Sequence, residues 1–280
     1  MAQIEMEETH AVGMRILCKY GCPPMDTPAT GVTGVGAERF RLACQQAVQN
    51  HGAAGGIGTL GEKTLHAVLK CYIDPCADNH EMKIGPFIAD IVGEDGIVEI
   101  QTRGFDKLRK KLEAFLEVAT VTVVYPIAAV KWLSWVDPDT GETTPRRRSP
   151  KRRTAAYSLF ELYKLKPLLS HPRLRLRLLL LELEEYRQLN GWSCDRKRGS
   201  TRCDRIPTAL VGEVRIDCPA DYAQLIPAGL PEQFTSSEFG AACGLSLSSA
   251  QRGLNVLLAV EAVGRVGKQG RFYIYRRGSG

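Results

Sequence analysis

The stretch Ile88-Ala-Asp90-Ile-Val-Gly93-Glu-Asp-Gly96-Ile-Val-Glu99-Ile-Gln101-Thr-Arg103 decides the fold. It reads as two strands, Glu81 to Ile91 and Ile97 to Arg103, joined through Gly93-Glu-Asp-Gly96, a tight-hairpin signal. A loop centred between Glu94 and Asp95 pairs position 90 directly with 99, and a shift of one residue pairs 90 with 101. In both registers Asp90, Glu99 and Gln101 share a face, because strand side chains alternate with period two. Directly paired Cβ atoms lie roughly 4.5–5.5 Å apart. At that separation two carboxylates can share one Mg²⁺, a cation that prefers oxygen ligands plus water. Flanked by Ile88, Val98 and Ile100, the pair is expensive to bury without a cation. The alternative is a solvated sheet face.

Working outward, Phe105, Leu108, Leu112, Phe115 and Leu116 recur at helical spacing, with Lys107, Arg109, Lys110 and Lys111 on the remaining surface. Thr120 to Tyr125 is a buried-looking β-branched strand and Lys131 to Val136 another. Upstream, a helix is expected from Glu38 to about Asn50, then a glycine-rich loop from Gly52 to Gly61. A second helix follows from Leu60 to Ile73 and ends at Pro75. Glu62 and His66 lie on one face of it. Arg173 to Leu183 reads as a strand, because Arg173, Arg175 and Arg177 alternate after Pro172. This order of helices and strands makes an α/β core. Residues 1–36, rich in Gly, Pro and Thr, read as a loosely ordered extension.

Charge is the next feature. The 280 residues carry 37 Lys plus Arg against 31 Asp plus Glu, a formal +6. Arg146, Arg147, Arg148, Lys151, Arg152 and Arg153 account for the whole excess, so the rest of the chain is neutral. Pro145 and Pro150 make that run extended, and it reads as a mobile loop within a polar segment, 137–154. A second basic loop, 193–205, holds Arg196, Lys197, Arg198 and Arg202. With Arg103, Lys107 and the basic helix face, these point to phosphate contacts and salt-dependent nucleic-acid binding.

The pattern Ile88-Ala-Asp90, eight residues, Glu99-Ile-Gln101, a basic amphipathic helix and a β-branched strand resembles the PD-(D/E)xK nuclease superfamily over about residues 58–136. Across most of the chain the sequence is also similar to an uncharacterised bacterial family carrying the phrase seen here as Glu99-Ile-Gln-Thr-Arg103. The superfamily resemblance implies a restriction-endonuclease-like mixed central sheet flanked by helices. It also implies Mg²⁺, or Mn²⁺, held by Asp90 and Glu99, with Glu62 as a supporting carboxylate. The superfamily carries a water-positioning Lys two residues after the Glu. Here Gln101 stands there, offering hydrogen bonds but no charge, and Lys83 on the adjacent strand is a candidate source of the missing charge.

After Pro219 the pattern changes to short helices and a terminal hairpin. Thr235-Ser-Ser-Glu238 caps one helix, Ser246 or Ser248 starts a second, and strands flank Gly267-Lys-Gln-Gly270. This order resembles a winged helix. It implies that Gln251 and Arg252 face a groove and that Lys268 and Arg271 contact phosphate. The expected domains are therefore a nuclease-like domain at 37–218 and a winged-helix-like domain at 219–280.

Other classes are disfavoured. The longest apolar stretch, Ala119 to Val130, falls short of the roughly 20 residues of a membrane span. Met1 to His10 is acidic, unlike a signal peptide. Nine irregularly spaced cysteines suit reduced thiols and a cytoplasmic location. A Walker-like run at Gly56 to Thr64 is broken by Glu62. The expectation is a Mg²⁺-dependent nuclease, DNA preferred over RNA as its partner; cutting both strands of a duplex would favour a homodimer. The alternative, supported by Gln101, is a catalytically inactive nuclease-fold protein that binds nucleic acid or regulates.

Overall fold

The Gly93–Gly96 hairpin is the seed of the architecture. The computed structural model describes residues 34–53, 64–137, 140–192 and 198–278. In it β1 (His80–Ile84), β2 (Phe87–Gly93) and β3 (Gly96–Ile100) form an antiparallel meander. The stretch from Glu81 to Ile91, expected as one strand, is divided by a turn at Gly85, whose φ of 57° suits glycine. Gly96 likewise has a φ of 111°, and a Cβ there would collide with the carbonyl of Thr120.

From β3 the chain passes through α3 (Phe105–Val118) to β4 (Val121–Val136), which runs parallel to β3. The helices α1 (Gly34–Ala53) and α2 (Thr64–Ile73) precede the meander. The two strands expected at 120–125 and 131–136 are one, Val121–Val136, which runs through Pro126 without a break. β5 (Arg147–Arg148) pairs with β4. A four-residue α4 (Leu159–Leu162) leads to two 19-residue strands, β6 (Leu174–Trp192) and β7 (Arg198–Ile216). The large sheet is mixed, with order β1-β2-β3-β4-β6-β7 and β5 attached to β4. The chain is thus α/β, a large mixed sheet flanked by helices.

Two regions expected as polar loops are more regular. Leu133 pairs with Arg147 and Trp132 with Arg148, while the Ser149 amide donates to the Lys131 carbonyl at 2.8 Å, so the basic run is pinned along β4. The second basic segment enters β7 at Arg198. The inward side chains of Asp204 and Ile206 supply the strand alternation that its arginines obscure.

After β7 come β8 (Gln233–Thr235), α5 (Ser236–Cys243), α6 (Leu247–Ala259), β9 (Val263–Gln269) and β10 (Phe272–Arg277). The last strands form a second sheet of order β8-β10-β9. The expected cap is present: Thr235 Oγ1 accepts from the Glu238 amide, and the Glu238 carboxylate accepts from the Thr235 amide at 2.7 Å.

Contacts divide the chain into two compact units. The first holds the described residues up to Ala77 with Ala128–Arg152 and Leu181–Gly212; the second holds Asp78–Ile127, Arg153–Leu180 and Glu213–Gly280. In the first, Phe40 of α1 meets Tyr72 of α2 edge-to-face at 5.3 Å. In the second, one buried cluster joins Phe105, Leu112 and Phe115 of α3 to Leu159, Tyr222, Phe239, Leu254 and Leu257. Residues on both sides of Pro219 therefore share one core. The extension expected over 1–36 lies outside the described residues except for Gly34–Gly36, which open α1. No helix among the described residues is long and apolar enough to cross a membrane.

Candidate active site

The second unit places two carboxylates side by side. β2 and β3 pair Ile91 with Val98, Val92 with Ile97 and Gly93 with Gly96, and the same register continued sets Asp90 opposite Glu99. There the two side chains take over from the backbone ladder. The Ile100 amide donates to Asp90 Oδ2 at 2.7 Å, and the Asp90 amide donates to Glu99 Oε1 at 3.3 Å. Each carboxylate thus holds a backbone N–H of the opposing strand, which fixes its orientation.

Glu99 is 2% exposed, whereas Asp90 is partly exposed. Burial, followed by the neighbouring Asp90 charge, pushes the Glu99 carboxyl up to about 7, against the opposing pull of Lys111. Lys111 Nζ lies 2.6 Å from Glu99 Oε2 and 5.6 Å from the centre of the Phe115 ring.

Periodicity alone places Lys111 among the solvent-facing bases of α3, yet its helical position carries a signal. It follows Leu108 by three and precedes Phe115 by four, at the margin of the buried stripe. Lys107, Arg109 and Lys110 are exposed, and only Lys111 of the four is drawn inward. Lys83 pairs with Ile88 and is exposed.

Gln101 follows the last residue of β3. Its amide Nε2 donates to the carbonyls of Arg103 and, at 3.3 Å, Gly104, latching the turn into α3. Gly104 has a φ of 70° and caps that helix. Gln101 therefore helps aim the helix that carries Lys111. Arg103 and Lys107 are exposed around the same turn. Glu62, Arg196 and Lys197 lie outside the described residues, as does the side chain of Arg198.

Mg²⁺ often uses only one or two protein carboxylates and completes its shell with water and phosphate oxygens, so the donor set of Asp90 and Glu99 fits it. Among the described residues no group of three or more His, Cys, Asp or Glu side chains is placed to hold a metal.

In the first unit the basic residues divide by partner. Arg146 pairs with Glu184 at 2.8 Å and lies 4.6 Å from the Trp132 ring, which also faces Arg148 at 5.9 Å. Arg147 lies over Trp135 at 5.5 Å. Burial alone would push Glu185 up, yet Lys131, Arg187 and Arg202 together hold it below the usual carboxylate range. Arg147, Arg148, Lys151 and Arg152 are exposed and form no ion pair among the described residues. These four are the charges left for an external anion.

In the second unit Arg153 stacks on Tyr157 at 4.0 Å. Gln251 and Arg252 are exposed on α6, with the Arg252 guanidinium 5.3 Å from the Phe160 ring. Lys268 lies over Tyr273 and Arg271 over Phe272 on the β9–β10 hairpin.

No solved structure matches the chain. An uncharacterized protein of Treponema pallidum (strain Nichols) is 28% identical over 228 residues, covering 79% of this chain and 87% of that protein. A family model described as "Domain of unknown function (DUF8091)" matches residues 63–217, a span that contains Asp90, Glu99 and Lys111. On that match over more than half its length, the chain belongs to the DUF8091 family.

Proposed function

We propose that this protein is a Mg²⁺-dependent phosphodiesterase, an endonuclease acting on DNA in the cytoplasm. The observation that carries this reading is the Asp90–Glu99 pair with Lys111 closing on it at 2.6 Å. Two carboxylates and an ammonium at the end of a hairpin are the groups that in-line displacement at a phosphate needs. We read the large sheet as restriction-endonuclease-like and residues 219–280 as a winged helix.

Asp90 and Glu99 would hold the cation, Mg²⁺ or Mn²⁺. When bound, it supplies Lewis-acid polarisation of a phosphoryl oxygen and offsets the phosphate charge. Lys111 opposes the rise of the Glu99 carboxyl and presents N–H donors toward charge developing on the phosphate. It thereby supplies the positive charge that Gln101 lacks. Gln101 holds the turn that positions α3, and Glu62 serves as a further carboxylate. Arg147, Arg148, Lys151 and Arg152 grip the backbone, each neutralised phosphate releasing a counterion. Two such sites in a homodimer would cut both strands.

One observation favours a second reading. Both oxygens of Glu99 already have partners, Lys111 and the Asp90 amide. A carboxylate so engaged also suits a nucleic-acid-binding or regulatory protein without catalysis. A cleavage screen on DNA and RNA substrates, with Mg²⁺, Mn²⁺ or chelator, separates the two. The proposal predicts metal-dependent cutting of DNA that disappears in Asp90→Ala. Salt-sensitive binding with no cutting under any metal supports the second reading.

A further inference from the structure

The helix α6 and the carboxylate site belong to the same compact unit and share one buried cluster. A module tethered by a flexible linker would have its own core. Here the connection after β7 is itself anchored: Tyr222 is buried and its hydroxyl donates to the Leu169 carbonyl at 3.3 Å. Further along, Arg277 donates to the Pro227 carbonyl at 2.6 Å.

α6 packs closely on α4. Gly253 faces Leu159 of α4 so closely that a Cβ would meet the Leu159 Cβ at 3.2 Å and its Cδ1 at 3.3 Å. Beside that contact Arg252 covers Phe160. From α4 the path continues to α3: Lys164 Nζ lies 3.0 Å from Glu161, on α4, and 3.6 Å from Asp106, in the first turn of α3. α3 is the helix that carries Lys111. The buried face of α6 is thus joined through α4 to the helix at the carboxylates. Packed cores behave as close-fitted solids that do not deform freely.

The outer face of α6 has the chemistry of a base reader. Ser248, Gln251, Arg252 and Asn255 lie on one face by helical spacing, and the first three are exposed. Side chains of these types hydrogen-bond base edges in the major groove. Neither α6 nor the β9–β10 hairpin contains an Asp or Glu. The hairpin adds Arg265, Lys268, Arg271, Arg276 and Arg277, a charge complement to a polyanion.

We propose that α6 sets the cleavage specificity: its Ser248–Gln251–Arg252 face reads duplex DNA, and its rigid seat against Leu159 fixes the cut at a constant distance from the sequence read. This rests on the hydrolytic reading above. It departs from a tethered nuclease, in which reading and cutting are separated by slack.

The test digests a library of random duplexes with the full chain and Mg²⁺ and sequences the ends. The ends are expected to share a motif at one fixed offset. In the Ser248→Ala/Gln251→Ala variant, whose substitutions are at exposed positions, enrichment of that motif is expected to fall roughly tenfold or more. Cutting without a shared motif, a motif at scattered offsets, or a motif unchanged in the variant each overturns the inference and leaves hydrolysis standing. A module that binds protein instead produces the first of these. A chain that cuts nothing overturns the hydrolytic reading and this inference together.

Discussion

Lys111 Nζ stands 2.6 Å from Glu99 Oε2, across from the strand that carries Asp90. The ammonium opposes, without cancelling, the upward push that burial and the Asp90 charge exert on the Glu99 carboxyl. Lys111→Met should therefore lower DNA cleavage by about 10²–10³-fold, the usual loss when one charge-stabilising donor is removed. Lys111→Arg should restore part of it. Single-turnover rates check both, and equal rates for Lys111→Met and wild type would remove the residue from the site.

Glu99 gives the fold a pH dependence whose sign is set by its raised carboxyl. The folded state favours the neutral acid, pushed up from 4.5 to about 7. The stabilisation is complete below about pH 4.5, declines between about 4.5 and 7, and is gone above that. At 1.36 kcal/mol per unit, the difference between pH 4.5 and 8 is on the order of 3 kcal/mol. Urea unfolding without divalent metal should show this decline in wild type and lose it in Glu99→Gln. Parallel pH profiles for the two proteins would contradict it.

Gly96 occupies a φ of 111° beneath the Thr120 carbonyl, which accepts the Ile97 amide at 2.9 Å. Gly96→Ala combines left-handed strain with a backbone collision. It should destabilise the protein by about 3 kcal/mol in urea unfolding. A cost under about 0.5 kcal/mol would show that the hairpin can shift without penalty.

The pairing of Asp90 with Glu99 was legible because a two-residue turn between glycines leaves few registers, and the observed one is among the two expected. The apolar stripe of α3 was legible from its spacing. Lys111 was not, since periodicity puts it at the stripe's margin but only the lie of α3 across the sheet decides which base meets Glu99. The pinning of Arg147 and Arg148 along β4 depends on pairing with residues 14 to 16 positions earlier, which flanking prolines disguise as an open loop. At β7, the irregularly spaced Arg198, Arg202 and Arg205 hid a strand whose inward side is Asp204 and Ile206.

The exposed Arg147, Arg148, Lys151 and Arg152 should act as phosphate contacts independent of sequence. Replacing all four with Ala should flatten the salt dependence of DNA affinity by about three to four in log–log slope, near 0.9 for each phosphate no longer neutralised. Fluorescence anisotropy across a salt series measures it. An unchanged slope would remove the run from the interface.

The proposed function stands on hydrolysis at Asp90 and Glu99. The most direct measurement is the single-turnover cleavage rate of end-labelled duplex DNA at pH 8 with Mg²⁺, compared between wild type and Asp90→Asn. Wild type is expected to cut until chelator is added, and Asp90→Asn to lose at least about 10²-fold. Equal rates in the two proteins, or cutting that survives chelation, would contradict it.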